Sequence, residues 1–166
     1  MRVLVTAASR HGSTTDIAAA IARVLHLHGL APHLVEPVDV KDLSEYDAVV
    51  LGSAVYAGRW MGPATDLVAR CQSQLAGRPV WLFSSGPVGS PANPAEGPAV
   101  SKLMEQTGAL GHRVFAGKLD KAELGRLERT MVHAVRAPMG DYRDWDDIAA
   151  WAARIAEGLS AMQQVR

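Results

Sequence analysis

Short, uninterrupted apolar runs alternate along this chain with segments whose apolar residues recur every three or four positions, and that alternation constrains the fold more than any other feature. Val3-Leu4-Val5-Thr6-Ala7 reads as a strand, and Ile17, Ile21, Val24 and Leu25 follow at helical spacing with Gly29 as a C-cap. His33-Leu34-Val35 is a weak second strand and Ala48-Val49-Val50-Leu51-Gly52 a third. A helix from Pro63 to Ala76 places Leu67, Val68, Cys71 and Leu75 on one side and closes at Gly77. Val80-Trp81-Leu82-Phe83 is a fourth strand, followed by a Pro/Gly loop over 84–97 and a helix from Pro98 with Val100, Leu103 and Met104 inward. Arg113-Val114-Phe115-Ala116-Gly117 makes the fifth strand. The first run is a buried strand by length and composition, and the third lacks polar alternation, as a strand covered on both faces does. The order predicts an α/β protein, a doubly wound five-stranded parallel sheet with helices on both faces and right-handed crossovers. Two helices follow the fifth strand. One covers about 121–137 and ends before Pro138; the other starts at an Asp144 N-cap and carries the stripe Ile148, Trp151, Ala152, Ile155, Leu159 and Met162.

At 166 residues, with no internal repeat or linker, the chain is expected to be one domain, 1–166. Its 17 basic side chains balance 17 acidic ones. The balance holds in each half, seven against seven over 1–83 and ten against ten over 84–166, so no global field is available to grip nucleic acid. The lone Cys71 excludes a disulfide framework and a thiolate metal cluster, and its place in a helical stripe makes it a core residue. No run of eighteen apolar residues occurs, and Met1-Arg2-Val3-Leu4-Val5 reads as a strand rather than a signal peptide. A cytoplasmic domain with at most peripheral membrane contact is expected; the oligomeric state is left open.

Ligands of open parallel sheets bind beyond the carboxyl ends of the strands, where this sequence puts loops 9–14, 54–62 and 84–97. The first, Ser9-Arg10-His11-Gly12-Ser13-Thr14, leads straight into a helix. Hydroxyls, a glycine and free helix amides suit a phosphate monoester, although an ordinary capped turn favours the same residues. Rival phosphate motifs are missing: neither GxxxxGK[ST] nor GxGxxG follows the first strand, and Ala8 and Ser53 stand where a phospho-acceptor domain needs acids. His26, His28 and His33 have no carboxylate or cysteine placed to complete a metal site and read as surface residues. Trp81 reads as core strand, and Trp145 and Trp151 as packing of the last helix.

The hexad 9–14, followed by Gly52-Ser53-Ala54-Val55-Tyr56-Ala57-Gly58-Arg59-Trp60, resembles the flavodoxin-like FMN-binding family, in particular the branch that includes the menaquinone-dependent protoporphyrinogen oxidase. The resemblance implies a flavodoxin-like sheet, an extra helix after its fifth strand, and FMN as cofactor. The FMN phosphate would be held by Ser9, Arg10, His11, Gly12, Ser13 and Thr14; Ser9, Gly12 and Thr14 match the family pattern, while His11 replaces a hydroxyl residue. Ala54, Val55, Tyr56, Ala57, Gly58, Arg59 and Trp60 would wrap the flavin ring, with Trp60 at the aromatic position. Ser84, Ser85, Gly86 and Pro87 would line its other side, with no aromatic before Phe115, which leaves one ring face open. Phe115-Ala116-Gly117-Lys118-Leu119-Asp120 and Gly140-Asp141-Tyr142-Arg143-Asp144-Trp145 resemble tail segments of the same branch.

Loops 54–62 and 84–95 contain no Asp or Glu and include Arg59, so a bound flavin's reduced anion would be tolerated and its potential raised. The extra helix sets Arg126, Arg129, His133 and Arg136 opposite Leu124, Leu127, Met131 and Val135; that stripe is either a solvated face or a site for anionic groups. The leading expectation is an FMN-dependent oxidoreductase acting on a small redox substrate or quinone, anionic ones such as protoporphyrinogen included. A flavodoxin-type electron carrier and a flavodoxin-like module without cofactor are the alternatives, and a deazaflavin in place of FMN stays open.

Overall fold

The computed structural model describes residues 1–86, 98–119 and 140–165. Pro87, the rest of the 87–97 loop and the expected helix at 121–137 with its basic stripe lie outside these residues. In chain order the elements are β1 (Arg2–Ala8), α1 (Ser13–Leu27), β2 (Ala31–Leu34), β3 (Ala48–Tyr56), β4 (Arg59–Trp60) and α2 (Gly62–Ala76). They continue with β5 (Val80–Ser85), α3 (Pro98–Thr107), β6 (Gly111–Phe115), β7 (Lys118–Leu119), β8 (Gly140–Asp141) and α4 (Trp145–Gln164).

The strand order is β2-β1-β3-β5-β6, all parallel, with β4 turned back antiparallel on β3. This is the expected doubly wound five-stranded plan. Period-two alternation sorts the strand residues between two cores. Leu4, Ala8, Val49, Leu51, Val80 and Leu82 join the α2 and α3 residues Leu67, Val68, Leu75, Val100 and Leu103. Val3, Val5, Ala7, Val50 and Phe83 join Ile17, Ile21 and Leu25 of α1 and Ile148, Ile155 and Leu159 of α4. Within the second core Phe83, Phe115 and Trp151 form a triangle with centroids 5.6–6.1 Å apart. Gly52 is required there: a Cβ on it would sit 2.1 Å from the Phe83 ring. Among the described residues no helix is long and apolar enough to cross a membrane.

Three expectations are corrected. The third strand continues beyond Gly52 to Tyr56, because β4 supplies its last residues with a partner, Val55 to Trp60 and Tyr56 to Arg59. The fifth strand is Gly111–Phe115 rather than 113–117; it is an edge strand paired from Trp81↔Gly111 to Ser85↔Phe115, and only its end is apolar. The last helix starts as expected, with Asp144 Oδ1 accepting from the Asp147 amide at 2.9 Å, but both ends of its apolar set leave the core. Met162 is exposed because a 20-residue helix of about 30 Å overruns a seven-residue strand of about 23 Å. Trp145 is exposed as well, with the Arg143 guanidinium 4.5 Å from its ring centroid.

Candidate functional site

Parallel register brings the carboxyl ends of β1, β3 and β5 to one edge: Ala8 pairs with Ser53, and Ala54 with Ser85. From β1 the chain turns through Ser9–Gly12 directly into α1. Gly12 is the N-cap residue, in the left-handed conformation (φ 79°), and its side supplies no capping group. The first-turn amides of a helix have no intrahelical acceptor. Among the described residues, only Thr14's amide finds a side-chain partner, Ser9 Oγ at 3.3 Å, while the first α-helical bond runs from the Asp16 amide to the Gly12 carbonyl at 2.9 Å. Beside these amides Ser13 Oγ is buried with no hydrogen-bond partner. Ser9 and His11 are half-buried, Arg10 is exposed and Thr14 is buried. A buried orphan hydroxyl next to unclaimed amides at the positive end of a helix dipole suits an anion rich in acceptor oxygens.

The second expected loop is a two-residue hairpin. Ala57 and Gly58 both have positive φ, 48° and 73°, which a tight turn matching the strand twist demands and a non-glycine residue rarely adopts. Tyr56 and Arg59 project at the tip and are exposed. Trp60 does not: its indole is 6% exposed and Nε1 donates to Ser84 Oγ at 2.8 Å. Ser84 Oγ also pairs with His112 Nε2 at 2.9 Å, so this serine is held between the hairpin and β6. Ser53 is likewise committed, donating to the Ala54 carbonyl at 2.8 Å and accepting from the Met61 amide at 2.9 Å. Of the residues expected around a ring, Tyr56, Ala57, Gly58, Arg59 and Gly86 therefore lie toward the open edge, and Trp60 and Ser84 belong to the scaffold beneath it. Ala54, Val55 and Ser85 are buried strand residues with their backbone at this edge.

Sequence reasoning missed a contribution from residues 140–145. The Gly86 amide donates to the Phe115 carbonyl at 3.2 Å, and Gly117 lies against Gly86. The β7–β8 ribbon follows, with the Tyr142 amide donating to the Gly117 carbonyl at 3.2 Å. From its end Arg143 reaches across to α1. Its Nη1 donates to Asp16 Oδ2 at 2.9 Å and to the Ser13 carbonyl at 3.4 Å. Asp141 receives Nε at 2.8 Å and Nη2 at 2.6 Å. The Arg143 side chain is only 7% exposed. Hydrogen bonding from Arg143 holds the Asp141 carboxyl at about 2, and Asp141 in turn keeps the guanidinium charged. No local pattern signals a contact across 127 residues.

Cys71 is 1% exposed and burial pushes its thiol pKa up, so it is an inert core residue. Among the described residues no group of His, Cys, Asp and Glu could hold a metal.

No curated protein matches the sequence. Solved structures do match in fold. A flavodoxin from the domain Archaea is 19% identical with a TM-score of 0.65, over 96% of this chain and 99% of its own. A Streptococcus pneumoniae flavodoxin is 19% identical with a TM-score of 0.64, over 98% and 99%. The rubredoxin oxygen:oxidoreductase of Desulfovibrio gigas is 13% identical with a TM-score of 0.65, over 96% of this chain but 36% of its own. A family model described as flavodoxin domain matches residues 4–146, most of the chain and every loop of the carboxyl edge. The chain belongs to the flavodoxin domain family, an FMN-binding family.

Proposed function

We propose that this protein binds FMN without a covalent link at the carboxyl edge and serves as a flavodoxin-type electron-transfer protein. The observation that carries the reading is the buried, unpartnered Ser13 hydroxyl at a helix start whose N-cap, Gly12, supplies no side-chain acceptor. A phosphate monoester brings the acceptor oxygens that this helix start lacks. Gly12 sets the turn that exposes the amides, and Ser9 and Thr14 close it. On the ring side, Tyr56 at the hairpin tip is the exposed aromatic best placed to lie against an isoalloxazine, with the Ala57–Gly58 and Gly86 backbone beside it. Bound FMN supplies the electron-transfer chemistry; the chain holds it, shapes its surroundings and leaves an edge open to partners.

A finer reading makes the protein an oxidoreductase that takes electrons from a small, anionic molecule or exchanges them with a quinone. Its support is the exposed Arg59 on an acid-free hairpin, a setting that tolerates a reduced anion. The protoporphyrinogen-oxidase branch that the tail resembles gains no support from the similar structures or the family match.

The test is the visible spectrum of the purified protein, with mass analysis of what denaturation releases and a reductive titration. A flavin spectrum and released FMN are expected; protein that stays colourless with added FMN overturns the proposal. A two-electron potential at or above that of free FMN favours the oxidoreductase reading, and one well below it favours the carrier.

A further inference from the structure

Arg143 is nearly buried, and besides its neighbours Asp141 and Trp145 it contacts Asp16 and the Ser13 carbonyl at the mouth of the phosphate loop. Asp16 stands in the first turn of α1, where its charge suits the helix dipole but opposes any dianion arriving at the same amides. Left alone, that carboxylate would repel the phosphate the loop is built to receive. Arg143 meets it at 2.9 Å. The same Nη1 donates to the Ser13 carbonyl at 3.4 Å, fixing the Ser13–Thr14 peptide, whose N–H in turn donates to Ser9 Oγ in the loop. Asp141 takes the other side of the guanidinium and the Trp145 ring covers its face, so its aim is fixed.

We propose that Arg143 is a positioning residue for the phosphate loop, one that neutralises Asp16 and braces the Ser13–Thr14 peptide at the start of α1, so that the loop can receive a phosphate dianion. It acts through Asp16 and Ser13 rather than on the ligand itself. The inference rests on the FMN reading above.

Riboflavin, which lacks the phosphate, separates this role from general support of the fold. Affinities of wild type, R143A, D16N and the R143A/D16N double variant are measured for FMN and for riboflavin by flavin fluorescence quenching, with thermal unfolding recorded for each. R143A is expected to lose roughly fivefold or more in FMN affinity while riboflavin stays within about twofold. Adding D16N to R143A is expected to recover most of the FMN loss, because the uncompensated carboxylate is gone. D16N alone changes a residue whose side chain is 63% exposed, so it leaves the fold intact, and it is expected to tighten FMN by about threefold. Equal losses for both flavins in R143A, or D16N variants that leave FMN affinity unmoved, overturn the inference. Wild-type protein that takes up neither flavin overturns the FMN reading and this inference with it, whereas wild-type uptake with unselective losses overturns this inference alone.

Discussion

The two halves of the carboxyl edge treat their hydrogen-bonding groups in opposite ways. On the hairpin side, Ser53, Trp60 and Ser84 spend their donors and acceptors on one another and on the Ala54 and Met61 backbone. On the α1 side, Ser13 keeps a buried hydroxyl unpaired, and among the described residues most first-turn amides have no acceptor. A satisfied network stabilises the fold in the absence of ligand; an unsatisfied one lowers stability until a ligand completes it. Polar residues at the same edge thus divide into scaffold and receptor by what they already touch, not by their type.

Substitutions should split along the same line. Trp60→Ala is expected to cost about 3–5 kcal/mol in chemical denaturation, the cost of emptying a buried aromatic site and removing the indole donor from Ser84. Were the apo protein to unfold at an unchanged denaturant midpoint, Trp60 would not be scaffold. Ser13→Ala is expected to weaken FMN binding by about tenfold, close to 1.4 kcal/mol, while leaving the apo protein as stable as wild type or more so. Thr6 sharpens the contrast, because its hydroxyl is also buried without a partner but sits inside β1, 0% exposed and out of a ligand's reach. Thr6→Val should stabilise by about 1 kcal/mol with FMN affinity unaltered; a loss of FMN would show that orphan status alone does not mark the receptor. The smallest effect concerns pH. Asp141 titrates at about 2 when folded against 3.8 unfolded, so its contribution is present above about pH 4 and lost as pH falls toward 2. Its side chain is 41% exposed, which screens the pair, and Asp141→Asn should slightly flatten the acid limb of a stability–pH curve.

The sheet, the described helices and the turn from β1 into α1 were legible in the sequence because each rests on local patterning: apolar runs, the 3.6-residue stripes, and Pro63, Pro98 and Asp144 at helix starts. The inward turn of Trp60 was not, since it depends on Ser84, which is 24 residues away and reached only through the pairing of β3 with β5. The start of β6 was hidden for a different reason. Gly111-His112-Arg113 carries no apolar signal, and partner-strand hydrogen bonds alone define it. The role of Arg143 has no local sign, because its partner Asp16 lies 127 residues away in the sequence.

That last contact has a bearing on when the cofactor can be held. Ser13 and Arg143 stand 130 residues apart, so the brace on the phosphate loop closes only after residue 143 has been synthesised and α4 has docked on α1. Any excursion that detaches α4 also withdraws Arg143. FMN retention and C-terminal docking are thereby linked, and bound FMN should slow hydrogen exchange in α4, a helix with no place at the site itself.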